Sequence, residues 1–420
     1  MAEAPRFLFV TCQIGAEQAL KGELARSRPD WLPAYARPGF VTFKLPAEHG
    51  LSPGLRLDVV FAQSCHLSLG RATGDDPDAL ARSVWDLLGD RPCQRIHVWQ
   101  RRVSRGEKVP GTFCRNGPEG ASHKKSLAAS PGAEKVPGTF YRKGPEGASH
   151  KRSLAPFPGE DDEEERALAP EAVRARGAIV RHCPRPNFPA EDAADPGRPA
   201  SSGQLVLDCI VVQSGEWWVG YHRARSVPSR WPGGLIPLVL PEHAVSLAWL
   251  KMEEALVWSG LPVRPGARCV EIGSAPGGAS QALLDRGLIV MGIDPAEMAP
   301  PVLGHPHFTH VRRRSTQVRR REFRKARWLT ADMNVAPNYT LSAVEDIVTH
   351  REVSIRGLLL TLKLPQWTLA ERIPEWLERI AGWDYNFVRA RQLRYNRQEV
   401  CVAALQKPFR RKPFRPRRRS

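Results

Sequence analysis

Cys269–Gln281, CVEIGSAPGGASQ, is the stretch from which the fold can be read. An apolar run closes on Glu271, a Gly/Pro loop follows, and a helix begins at the second of the paired glycines, Gly278. Glycine suits such a loop for two reasons: the turn needs backbone conformations that a Cβ opposes, and a ligand has to approach the main chain closely. A Gly-rich turn also occurs in many α/β sheets as plain architecture, so the flanking sequence has to decide.

Upstream, Ser246–Val257 (SLAWLKMEEALV) has helical spacing. Downstream, strand and helix signals alternate: strands at 268–272, 289–293, 328–332, 357–363 and 399–405, with helices at 278–286, about 341–350 and about 369–381. Such alternation predicts a doubly wound sheet with helices on both faces. A dinucleotide fingerprint would read GxGxxG, whereas this loop reads GSAPGG, and Pro276 removes an N–H that a pyrophosphate site would use. Asp294 ends the next apolar strand, where an acid commonly holds two ribose hydroxyls. A ligand with a carboxylate and an adenosine, such as S-adenosylmethionine, fits this pattern better than a dinucleotide.

EIGSAPGGASQ resembles the cofactor loop of the FtsJ-like RNA 2′-O-methyltransferases, a Rossmann-like family that uses a Lys-Asp-Lys-Glu tetrad. Residues matching that tetrad occur in order: Lys251 in SLAWLKMEEAL, Asp332 in LTADMNVAP, Lys363 in TLKLP and Glu399 in RQEVCVAAL. WPGG at 231–234, LKLP at 362–365 and ARQLRYNRQEV at 390–400 are similar to the RlmM type, which methylates a cytidine ribose of large-subunit (23S) ribosomal RNA. The resemblance implies catalytic roles for Lys251, Asp332, Lys363 and Glu399. It also implies cofactor contacts from Ser246, Glu271, Gly273, Ala275, Pro276, Gly277, Gly278, Asp294 and Asp332. Asp332 is thereby claimed for both jobs, and Ser246 serves equally well as a helix cap. Lys363 is the expected general base: a second cation nearby, Lys251, and partial burial favour its neutral amine, while the two carboxylates oppose it. The sequence departs from the family at Val311-Arg312-Arg313-Arg314, where an acid beside the adenine is usual.

The fold class expected is thus α/β, a Rossmann-like S-adenosylmethionine-dependent methyltransferase domain preceded by a smaller α+β region. That first region, opening FLFVTCQIGAEQALKGELA, more weakly resembles a ferredoxin-like plus THUMP-like RNA-binding unit. Strands are expected at 6–12, 40–45, 59–61, 95–100, 205–212 and 217–222, with a helix after Gly15. Between them, EKVPGTFCRNGPEGASHKKSLAASPGA (107–133) is followed by EKVPGTFYRKGPEGASHKRSLAPFPGE (134–160), a tandem duplication rich in Pro, Gly, Ser and Lys. Two polar copies are too few for a solenoid. The expected boundaries are 1–105 for the N-terminal region, 106–204 for a mostly disordered insertion, 205–240 for the end of that region and a linker, 241–406 for the methyltransferase domain and 407–420 for a basic tail. Trp217, Trp218, Tyr221 and Trp231 suit either core packing or base stacking, and His222 and Arg223 are placed to reach phosphate.

Of 420 residues, 42% are hydrophobic and 25% charged, which excludes collagen, coiled coil and full-length disorder. No apolar run approaches the roughly 18 residues of a membrane span, and Met1–Val10 lacks the layout of a secretory signal. The eight cysteines form no CxxC pair, which argues against a zinc site and a disulfide framework and for a reducing compartment. A cytoplasmic protein without metal or membrane partner is therefore expected, its oligomeric state left open. Nine basic residues and one acid fill 311–327, and eight basic residues and no acid fill 407–420; the two clusters account for +16 of the net +18. Such fields attract a polyanion, and ribosomal RNA or a large-subunit precursor is the expected partner. Two competing functions remain at this level: an RNA-binding assembly factor with a degenerate methyltransferase fold, which the intact tetrad opposes, and an NAD-dependent oxidoreductase, which the loop opposes.

Overall fold

The computed structural model describes residues 4–101, 169–185, 188 and 198–406, all within one compact unit. The duplication at 107–160, the acidic run after it and the basic tail from 407 lie outside the described residues.

The first region is a sheet of seven strands: β1 (Phe7–Thr11), β2 (Leu32–Arg37), β3 (Phe40–Lys44), β4 (Ser64–Thr73), β5 (Arg95–Gln100), β6 (Leu205–Gln213) and β7 (Glu216–Arg223). Their order is β2-β3-β1-β4-β7-β6-β5, antiparallel except where β5 runs parallel to β6. Helix α1 (Glu17–Ser27) packs Leu20 and Leu24 under β1 and β3. Helix α2 (Pro77–Leu88) starts where Asp76 accepts the N–H groups of Asp78 and Ala79 at 3.1 and 3.0 Å, with Pro77 in the first turn where no N–H is needed. Its Leu80, Val84, Trp85 and Leu88 are buried with helix α3 (Pro170–Arg181) on β4 to β7.

Two expectations are corrected here. Helix α3 falls inside 106–204, which was assigned to a mostly disordered insertion. Its buried stripe is Ala172, Ala175, Ala178 and Ile179, small side chains that a search for large apolar periodicity passes over. Val59–Phe61 is not a strand: the Val60 and Phe61 N–H groups donate to the Glu23 carboxylate at 2.7 and 3.3 Å, so a helix side chain replaces a sheet neighbour.

The second sheet has β8 (Arg268–Ile272), β9 (Ile289–Ile293), β10 (Phe308–Val311), β11 (Trp328–Ala331), β12 (Gly357–Lys363), β13 (Phe387–Arg391) and β14 (Glu399–Leu405), in the order β10-β9-β8-β11-β12-β14-β13. The five from β10 to β12 are parallel, and β14 runs antiparallel to both β12 and β13. Helices α4 (Ala248–Ser259) and α5 (Gly278–Asp285) cover one face through Met252, Leu256 and Leu283 against Cys269, Val290 and Cys401. Helices α6 (Pro337–Val348) and α7 (Ile373–Ala381) cover the other through Leu341, Val344, Trp376 and Ile380 against Val270, Leu358 and Val402. The strand order reverses between β8 and β11, which opens a crevice at their carboxyl ends, where ligands of such sheets bind. The Gln13 side-chain amide ties the two sheets by donating to the carbonyls of Leu393 and Asn396. Among the described residues, no helix is long and apolar enough to cross a membrane.

In the first sheet, a Cβ on Gly220 would stand 2.3 Å from the Phe9 ring. Gly220→Ala is expected to lower the unfolding free energy by about 1–3 kcal/mol through overpacking. Urea unfolding checks this; an unchanged midpoint at unchanged m would contradict the packing of β7 on Phe9.

Candidate active site

The loop after β8 is shaped by three glycines. Gly273 has φ +80°, and a Cβ on it would lie 2.6 Å from the Asp332 carbonyl oxygen. Gly277 has φ +119° and Val302 2.8 Å from its Cβ position. At Gly278, the first residue of α5, a Cβ would meet Ser246 Oγ at 2.1 Å. The loop main chain therefore lies directly against the end of β11, the turn at 300–303 and the segment entering α4. Ala275–Pro276, in the middle, is a cis peptide.

Asp294, just past β9, accepts the Ala275 N–H on Oδ2 at 3.2 Å and the Ala296 N–H on Oδ1 at 2.8 Å. It braces the loop while each carboxylate oxygen keeps further acceptor capacity. Ser246 stands two residues before α4, its hydroxyl 3.4 Å from the Ala248 N–H, so it meets the helix start and the loop together. Glu271 is 1% exposed and accepts the Ser280 hydroxyl. Burial, which the Ser280 hydrogen bond opposes and the nearby Asp332 and Asp294 reinforce, pushes its carboxyl up to about 8. Glu271 is thus a neutral acid beneath the loop at pH 7.

The structure brings Lys251, Asp332, Lys363 and Glu399 together. Lys251 is carried by α4, Asp332 follows β11 directly, Lys363 ends β12 and Glu399 opens β14. The β12–β14 register sets Lys363 opposite Glu399, and directly opposed residues share a face. Lys363 Nζ donates to Asp332 Oδ1 at 2.6 Å and to Glu399 Oε2 at 2.5 Å. Lys251 Nζ pairs with Glu399 Oε1 and lies 4.0 Å from Asp332 Oδ2. Side-chain exposure is 21% for Lys363 and 6% for Glu399: the ammonium groups reach the crevice, and the glutamate is buried between them. Burial pulls Lys363 down, but Asp332 and Glu399 outweigh it and hold the lysine above its ordinary value. For Glu399, burial raises the carboxyl and the two lysines lower it further than that, leaving it below the ordinary range.

Two supporting residues were not anticipated. Glu254, three positions after Lys251 on α4 and so on nearly the same helix face, accepts the N–H groups of Arg394 and Tyr395 at 2.9 and 3.0 Å. Asn396 donates to Glu399 Oε1 at 3.2 Å. Both hold the turn that delivers Glu399, and the spacing of Glu254 from Lys251 was the available signal. One other expectation needs correction. His222 has no ring nitrogen left to bond phosphate: Nδ1 lies 2.5 Å from Asp208 Oδ2 and Nε2 2.8 Å from the Ser229 carbonyl. His66 shares the same buried carboxylate oxygen at 2.8 Å. Trp217 and Tyr221 are core, and Trp218 stacks on Tyr35 with ring centroids 5.3 Å apart. After β10, Arg312 pairs with Glu297 at 3.2 Å, an acid supplied from the β9 side where the third strand has none.

A carboxyl that titrates near 8 when folded and at 4.5 as an ordinary glutamate makes the folded state bind the extra proton. Its ionisation therefore costs stability as pH rises through that window. Glu271→Gln is expected to stabilise the protein by an amount that grows by roughly 1.4 kcal/mol per pH unit between about pH 5 and 8. Urea titrations at pH 5.5 and 8 measure it; a constant difference between the two proteins would contradict the neutral-acid assignment.

Residues 244–410 match the family model of FtsJ-like methyltransferases. Proteins named ribosomal RNA large subunit methyltransferase M are similar to this chain. The one from Laribacter hongkongensis is 34% identical over 184 residues, covering 41% of this chain and 51% of the relative. Those from Xylella fastidiosa and Halorhodospira halophila are 34% and 31% identical, covering 43% and 44% of this chain and 53% of each relative. The chain spans about half the length of the curated relatives it matches. The glycine loop and the clustered charges lie in the segment, residues 244–410, that matches the FtsJ-like methyltransferase model.

Proposed function

We propose that this chain transfers a methyl group from S-adenosylmethionine to a ribose 2′-oxygen of RNA, with a cytidine of large-subunit (23S) ribosomal RNA as its target. The observation that carries the reading is the closed set of contacts joining Lys251, Glu399, Lys363 and Asp332 beside the glycine loop. The relatives' names support the substrate class.

The residues present fit the cofactor. At Gly273, Gly277 and Gly278 the Cβ positions are filled by Asp332, Val302 and Ser246, and this close packing fixes the loop main chain that would border the ligand. Ser246, Ala275, Pro276 and Asp294 border it, and Glu271 holds it from beneath through Ser280. Bound there, S-adenosylmethionine supplies an electrophilic methyl on a sulfonium, which needs no metal. The chain has to position the ribose hydroxyl and take its proton. Lys363 Nζ is the base: after giving up its own proton, it accepts that of the 2′-OH. Asp332 and Glu399 hold the amine in place and receive its hydrogen bonds, and Lys251 neutralises Glu399.

The sheet of residues 7–223 is proposed as the ferredoxin-like and THUMP-like RNA-binding region, a reading supported by the resemblance of its opening sequence. Further contact would come from the basic loop after β10. There Val318, Phe323 and Ala326 are buried as anchors and leave Arg313, Arg314, Arg319, Arg321 and Lys325 exposed. A ribosomal substrate implies a cytoplasmic location.

Transfer of labelled methyl to large-subunit ribosomal RNA stripped of its native modifications tests the proposal. Wild type is expected to label one cytidine ribose in alkali-resistant form. Lys363→Ala should lose roughly 10²–10⁴-fold in rate while still binding S-adenosylmethionine. Wild-type rates in the variant would contradict the role of Lys363, and base or protein methylation would contradict the reaction class.

A further inference from the structure

Between the two sheets lies a cavity of about 270 Å³ that the reaction above does not use. The charged side chains on its wall, besides two histidines, are Arg56, Asp58, Arg223, Arg225, Arg389 and Arg391. Five guanidinium groups thus face one carboxylate. The hydrogen bonds of three of them go to main-chain oxygens, which do not cancel a charge: Arg223 to Gly203 at 2.7 Å, Arg391 to Gln63 at 2.5 Å and Arg389 to Trp258 at 3.4 Å. Arg56 acts on Arg389 and Arg389 on Arg391 as like charges, while Asp58 acts on both and Glu254, which is not on the wall, offsets Arg391. Arg389 lies 5.2 Å from the Trp258 ring and 5.0 Å from the Phe387 ring, and its buried Nε has no hydrogen-bond partner. Aromatic contact of this kind orients a guanidinium while leaving its edge donors for a ligand.

The cavity is placed by the same register that builds the tetrad. On β13, Arg391 lies opposite Cys401 and Arg389 opposite Ala403, while on the other side of β14 Cys401 meets Thr361 and Glu399 meets Lys363. Opposed residues share a face and alternate residues repeat it. Arg389 and Arg391 are therefore on the face that carries Lys363 and Glu399, two strand spacings or roughly 10 Å across the sheet.

We infer that this arginine pocket binds a phosphodiester of the RNA strand adjoining the methylated nucleotide, an inference that rests on the RNA-methyltransferase reading. Guanidinium forks match phosphate oxygens in geometry and charge. A strand whose target ribose lies at Lys363 passes over β14 toward β13, and the pocket receives its backbone one or two nucleotides away. On the cavity wall Arg56 and Arg225 are exposed, and Arg389 and Arg391 are half-buried.

The test is equilibrium binding of a fluorescent single-stranded ribosomal RNA fragment and, separately, of inorganic pyrophosphate to the full chain. Variants are the double Arg56→Gln/Arg225→Gln, whose sites are exposed, and Arg389→Gln. The double variant is expected to bind RNA at least about 10-fold more weakly. Its slope of log affinity against log salt should be shallower by about 1.4, for two contacts of roughly 0.7 each. Arg389→Gln should weaken RNA similarly, and all variants should bind S-adenosylmethionine as wild type does. RNA affinity and salt slope unchanged in the double variant would overturn the inference. Loss of pyrophosphate binding with RNA affinity intact would assign the pocket to a small phosphorylated ligand and equally overturn it. Because the readout is binding, a failure of methyl transfer in wild type would count against the proposed reaction and leave this result legible.

Discussion

The antiparallel pairing of β12 with β14 is the constraint on which the site depends. It sets Lys363 opposite Glu399, and a slip of one residue would send the two side chains to opposite faces of the sheet. Every other part of the centre is referred to that pair. Helix α4 brings Lys251 down onto Glu399, and β11 ends so that Asp332 reaches Lys363 from the other side. The glycine loop is built on the same frame, since Gly273 packs on the Asp332 main chain with no space for a Cβ. Loop and charge cluster are mechanically one object, and a change in either is felt by the other.

The cluster holds two ammonium and two carboxylate groups, partly buried and mutually compensated. Removing one member of such a set leaves an uncompensated charge with its full desolvation penalty, so truncations here perturb structure as well as chemistry. The surroundings limit that penalty: Asn396 adds a hydrogen bond to Glu399, and Glu254 secures the preceding turn through two main-chain donors. Below the loop, Glu271 stays neutral, which avoids a third negative charge near Asp332 and Asp294.

Much of this was legible in the sequence because the chemistry sits at strand ends that apolar runs mark. GLLLTLK and EVCVAAL are mostly hydrophobic runs, as covered strands are, and each has a charged residue at its boundary. Less legible were elements whose signal is carried by small or charged residues. Helix α3 buries alanines, β10 has four residues, and β13 reads FVRAR, its arginines masking a strand that completes the sheet. Tertiary pairing hid the rest. His222 looked like a phosphate ligand at a strand end, and only the fold brings Asp208 and the Ser229 carbonyl to its two ring nitrogens. The arginine pocket draws on residues from 56 to 391, a separation no local pattern spans.

The charge cluster makes a definite statement about the proposed base. With both carboxylates in contact, Lys363 is held above its ordinary value and rests as an ammonium; any further positive charge brought beside it would lower that value again. The most direct test is the single-turnover rate of methyl transfer against pH from 6 to 9 with saturating S-adenosylmethionine. Below the pKa of a lysine base, the neutral fraction, and with it the rate, rises about 10-fold per pH unit. The account predicts that steep rise in wild type and its disappearance in Lys363→Ala. A wild-type rate that stays flat across this range would contradict Lys363 as the group that takes the proton.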